Sequence, residues 1–155
     1  MSIDETPPPL PARLQSIVED FALCEGKEKL ELLLQFSEQL PPLPERLSAH
    51  KDQMEPVPEC MSPVFAHADV EAGRFQFFLD VPAEAPTVRG FAAILSLGLA
   101  GATPQQILDV PLGFYQQMGL QTVLSGQRLN GMRAILARLK QYARQALAGQ
   151  SGGPA

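Results

Sequence analysis

The chain has 155 residues, enough for one hydrophobic core and short of two domains of ordinary size. Hydrophobic residues make up 45% and charged residues 19%, a balance that excludes wholesale disorder. The formal net charge of −5 argues against a nucleic-acid partner, because phosphate contacts need clustered Lys and Arg.

The amino terminus, Met1 to Thr6, has neither the positive region nor the apolar stretch of a secretory signal. The domain is expected to span residues 11–148, with 1–10 and 149–155 as flexible termini. From Pro11, Leu14, Ile17, Val18 and Phe21 gather on one face of a first helix, which Gly26 ends. A second helix is expected from Lys27 to Gln39, with Leu30, Leu33, Leu34 and Ser37 along its buried stripe. Pro41, Pro42 and Pro44 then stop regular structure, and residues 41–59 read as a structureless loop.

Two strands follow. Val64 to Val70 is the first; Arg74 to Val81 alternates with Phe75, Phe77, Leu79 and Val81 on one face, and residues 71–73 make the turn. A lone hairpin is marginal in water, so a third strand from residues 52–58, or helices on the phenylalanine face, must support it. Thr87 to Leu99 is apolar nearly all round and reads as a buried helix. The apolar run there, Phe91 to Ala102, falls short of the ~20 residues of a membrane span. Thr103-Pro104-Gln105-Gln106 has the capping threonine, first-turn proline and returning glutamine of a helix start. A short helix is expected around Pro111 to Met118. Ser125 can cap the last helix, along which Leu129, Met132, Leu136, Leu139 and Tyr142 recur at helical spacing. The pattern is α+β: a small antiparallel sheet with helices packed against one side.

Only two cysteines are present, Cys24 and Cys60, so a disulfide scaffold is excluded and a reducing, cytoplasmic setting is the expectation. Cys24 falls beside Phe21 and Leu23 and reads as core. Cys60 is different: it ends the proline-studded loop and precedes the first strand, where a thiol can meet another molecule. A buried, inert cysteine is the competing reading. Neither His50 nor His67 has partners at metal-ligand spacing, so no metal and no cofactor are expected. Glu25, Glu28 and Glu31 form a solvated face.

Four segments, in order, resemble the SufE family of sulfur-acceptor proteins: Leu40-Pro41-Pro42-Leu43-Pro44; Val57 to Phe65 around Cys60; Val88-Arg89-Gly90; and Leu124 to Met132, with Ser125, Arg128 and Gly131. The resemblance implies a SufE/IscU-like fold and a sulfur relay. A SufS-type cysteine desulfurase, which uses pyridoxal phosphate, would pass persulfide sulfur to Cys60, for onward transfer to a scaffold such as SufBCD. The chain would then be a persulfide carrier and desulfurase activator rather than a stand-alone enzyme. It would not hold the cluster itself, since one loop cysteine cannot do so. Arg128 and Glu84 match basic and acidic family positions and would contact the partner or the persulfide. Two residues depart from the pattern: Glu59 replaces a usual glycine and should disfavour the thiolate, and Pro63 replaces a glutamine and stiffens the loop. The alternative is a non-catalytic binding module whose loop thiol is incidental. A thiol-redox enzyme is disfavoured by the lack of a Cys-x-x-Cys pair.

Overall fold

A computed structural model describes residues 9–151. In chain order the elements are α1 (Ala12–Leu23), α2 (Lys27–Ser37), α3 (Glu45–Ser48), β1 (Glu55–Pro56), β2 (Phe65–Glu71), β3 (Arg74–Asp80), α4 (Pro86–Gly98), α5 (Pro104–Leu108) and α6 (Gly126–Ser151). The strands form one antiparallel sheet in the order β1-β2-β3. The chain is α+β.

The β2–β3 register pairs Glu71 with Arg74, leaving Ala72 and Gly73 as a two-residue turn with φ of 53° and 75°. Positive φ at both positions matches the strands' right-handed twist. In β3, Phe75, Phe77 and Leu79 point into the core and α4 packs over them. Ser96 on α4 satisfies its buried hydroxyl by donating to the Phe77 carbonyl at 2.7 Å.

Helix α4 is the centre of the helical layer, with nine of its 13 residues buried, and it packs against α1, α2, β3 and α6. The α2–α4 contact is close because residue 90 lacks a side chain; a Cβ there would lie 2.2 Å from the Leu33 carbonyl oxygen. Arg89, beside it, donates to the Ser37 carbonyl at the end of α2 and to the Val81 carbonyl after β3. That arginine ties helix to sheet. The capping box at Thr103 is present: its hydroxyl accepts from Gln106 N–H, and the Gln106 side chain accepts from Thr103 N–H.

Several expectations need correction. Residues 41–59 are not structureless. They form α3, a 3-10 turn (Lys51–Gln53) and β1, and Arg46 of α3 lies over Phe78 on the sheet's outer face. The third strand is therefore present, though only two residues long. In α2 the buried stripe is Lys29, Leu33 and Ser37, while Leu34 is exposed. Lys29 is admitted because its ammonium donates to the carbonyls of Phe21 (2.6 Å) and Met118 (2.9 Å), capping the end of α1. The short helix expected at 111–118 is a 3-10 turn, Phe114–Gln116. Residues 1–8 and 152–155 lie outside the described residues; next to them, Leu10 is buried in the core and α6 continues through Gly149 to Ser151. Among the described residues, no helix is long and apolar enough to cross a membrane.

Candidate functional site

Prolines at positions 58 and 63 decide where β1–β2 pairing stops. Neither can donate to a ladder, so the last bond runs from Val57 N–H to the Val64 carbonyl at 2.8 Å. The chain between them turns back tightly, with Cys60 N–H donating to the Val57 carbonyl at 3.2 Å. Cys60 thus occupies the tip of a short connection between two strands.

Helix α6 fixes the hairpin along its length. Gly131, Arg138 and Tyr142 are spaced by seven and four residues, which places them on one helical face. Tyr142 Oη donates to the Ala66 carbonyl (3.2 Å), and Arg138 donates to the Pro56 carbonyl (3.1 Å) and pairs with Glu55 (3.6 Å). At the tip, Cys60 Sγ donates to the Gly131 carbonyl at 3.4 Å. A Cβ on Gly131 would stand 3.5 Å from that sulfur, an ordinary van der Waals contact, so a methyl group fits there and only a longer side chain would fill the thiol's seat. The side chain faces inward, half-buried, while its neighbours Glu59 and Met61 face solvent, Met61 with 79% exposure.

An open cleft of about 330 Å³ adjoins the sulfur. Its walls are the cysteine loop, Val88 of α4 and the first turns of α6, including Ser125, Gln127 and Arg128. Ser125 starts α6 by accepting from Arg128 N–H at 3.3 Å. The Arg128 guanidinium reaches across to donate to the Thr87 hydroxyl of α4, and it lies at the exposed rim. The amide end of a 26-residue helix and one guanidinium therefore share the cleft with the thiol. Against them stand two effects on Cys60 itself: burial, and the negative charge of Glu59, which together raise its pKa to about 11. At neutral pH the inward sulfur is a thiol, as its bond to a carbonyl oxygen requires.

The structure brings Cys60 and Arg128 to one cleft and leaves Glu84 apart. Glu84 is exposed on the turn before α4, does not line the cleft, and makes no hydrogen bond or ion pair among the described residues. Cys24 is not a core residue; it caps α1, half-exposed, with Sγ 3.5 Å from the Asp20 carbonyl. His67 lies in β2 and bonds Asp69 at 2.9 Å, and Asp69 also pairs with Arg46. No cluster of three or more His, Cys, Asp or Glu able to hold a metal occurs among the described residues. Sequence reasoning missed Val88 and Gln127 as cleft walls. Both lie in segments that resemble the family, Val88-Arg89-Gly90 and Leu124 to Met132, and that was the available signal; neither was assigned to the cleft.

These features define a class: a small α+β protein presenting a single loop thiol in a cleft at a helix start. The family model described as SufE, Fe-S metabolism associated domain, matches residues 15–143. An uncharacterized SufE-like protein of Mycobacterium tuberculosis is 48% identical over 141 residues, covering 90% of this chain and 97% of that protein. The sulfur acceptor protein CsdE of Escherichia coli is 31% identical over 125 residues, covering 77% of this chain and 82% of that protein. A hypothetical protein from Thermus thermophilus, solved in solution, superposes with a TM-score of 0.79 at 38% identity, covering 90% and 98% of the two chains. The chain belongs to the SufE family.

Proposed function

We propose that this chain is a sulfur acceptor that takes persulfide sulfur onto Cys60 and hands it on for iron–sulfur cluster assembly. The observation that carries the reading is the placement of Cys60: at a hairpin tip, seated by one hydrogen bond, with a cleft beside it. Membership of the family and the similarity to a sulfur acceptor protein support the same reading.

The chemistry follows from the thiol's two environments. Seated against Gly131, the sulfur is neutral and shielded. Sulfur transfer needs the thiolate. Leaving the seat breaks the bond to the carbonyl and lets the proton go to solvent. The thiolate attacks the outer sulfur of a donor persulfide; a new S–S bond forms at Cys60, the donor's S–S bond breaks, and the donor departs as a thiolate. The sulfane sulfur keeps its oxidation state, so no external oxidant is required. A persulfide is a stronger acid than a thiol, and the returning anion meets Arg128 and the amino end of α6. Glu84, off the cleft, would meet the docked partner rather than the loop.

The donor is a SufS-type cysteine desulfurase and the onward acceptor a scaffold such as SufBCD; cytoplasmic chemistry of this kind suits an unpaired thiol. Desulfurase turnover, read as alanine and sulfide release, tests the proposal. Wild-type protein is expected to stimulate it, and the Cys60→Ser variant to give none of that stimulation. Mass spectrometry should place a gain of about 32 Da on the Cys60 peptide, the mass of one sulfur in a persulfide cap. Stimulation undiminished by Cys60→Ser would leave a binding module with an incidental thiol.

A further inference from the structure

Three consecutive residues at the hairpin tip point in alternate directions: Glu59 outward, Cys60 inward, Met61 outward. Glu59 makes neither a hydrogen bond nor an ion pair among the described residues. Besides Cys60, the only ionisable side chain among the described residues lining the cleft is Arg128; its guanidinium keeps its charge but points to Thr87 on α4 and makes no ion pair with Glu59. The carboxylate therefore stands uncompensated next to the sulfur, and burial and its charge act on the thiol in the same direction.

The consequence falls on whatever docks at the tip. A partner that covers Met61 and reaches Cys60 must also cover Glu59, and a carboxylate buried without a partner is strongly penalised. A cation brought by the donor removes both penalties, since it pairs with Glu59 and lifts the carboxylate's opposition to the neighbouring thiolate. We propose that Glu59 is a specificity-determining residue that admits to Cys60 those sulfur donors whose reacting sulfur is ringed by positive charge, and holds off anionic ones. This inference rests on the sulfur-acceptor reading and adds the electrostatic character of the donor.

The test isolates Cys60 in a Cys24→Ser background and measures its modification by two methanethiosulfonates of similar size, one trimethylammonium and one sulfonate. A single unit charge at about 6 Å in water changes such rates about three-fold in each direction. Glu59→Gln is thus expected to lower the cation-to-anion rate ratio by roughly five- to ten-fold, and Glu59→Asp to preserve it. In the desulfurase assay, Glu59→Gln is expected to raise the apparent KM for the donor several-fold and to flatten its salt dependence. A reagent ratio unchanged by Glu59→Gln overturns the inference, as does an unchanged KM and salt slope. Wild-type Cys60 that never acquires sulfur instead overturns the acceptor reading, and the reagent series still decides the role of Glu59.

Discussion

The two cysteines are both half-exposed and both donate weakly to a backbone carbonyl, yet their surroundings differ in kind. Cys24 closes α1 and bonds Asp20, four residues back on its own helix. Cys60 crosses to another element and bonds Gly131, 71 residues away, beside a cleft. Exposure alone does not distinguish them. What does is a site assembled from three parts of the chain: a loop that ends a strand pairing, a helix start, and a helix-interior carbonyl, that of Gly131, on which the sulfur is seated.

The sharpest way to break this comparison is serine substitution at each position. Cys60→Ser should abolish the stimulation of a desulfurase, and Cys24→Ser should leave it within a factor of about two, as exposed surface changes do. Equal losses would erase the distinction. Next in size is Gly131→Leu, which fills the seat that the sulfur occupies. With the thiol displaced into water its pKa returns toward 9.0. Its alkylation by iodoacetamide at pH 8 should then rise about ten-fold, less than the full shift implies because the group is half-exposed. Cys24, which closes α1 and does not line the cleft, should react at an unchanged rate.

A pH series sharpens the same contrast. The pKa of Cys60 is raised from 9.0 to about 11, so the folded protein holds this proton more tightly than the unfolded chain does. Any stability from the seated thiol is present below pH 9 and declines as pH rises toward 11. The alkylation rate of Cys60 should climb close to ten-fold per unit through pH 10 without levelling, and a plateau near pH 9 would contradict the seated state. The smallest effect is expected from Gly131→Ala. A Cβ at 3.5 Å is ordinary contact with Sγ, and alanine favours a helix interior over glycine by about 1 kcal/mol. Chemical denaturation should find a stabilised protein with unchanged Cys60 reactivity.

The sequence foretold those parts of this molecule in which one rule governs. The alternation of Phe75, Phe77 and Leu79 was read correctly because the sheet buries one face, and the Thr103 capping box because its hydrogen bonds are local. Readings failed where distant partners decide. Lys29 is buried and Leu34 exposed because two carbonyls, one of them 89 residues away, wait for an ammonium. The 41–59 stretch gained structure because the sheet's outer face offers Phe78 to Arg46 and Asp80 to Lys51. Cys24 looked apolar by its neighbours Phe21 and Leu23, yet Leu23 itself is 82% exposed where α1 runs out. The position of Cys60 on a loop was legible, whereas its inward turn depends on Gly131 and was not.

The root of the thiol-bearing loop is clamped, by Val57 to Val64 across the strands and by Arg138 to Pro56 from α6. With that anchorage intact, only about three residues of chain lie between the clamp and the sulfur, an extended span of roughly 10 Å. Donor and recipient must therefore present their reacting atoms within one small sphere and cannot both occupy it. Delivery becomes a sequence of visits: one must leave before the other arrives, and the pace of cargo handover is bounded by dissociation.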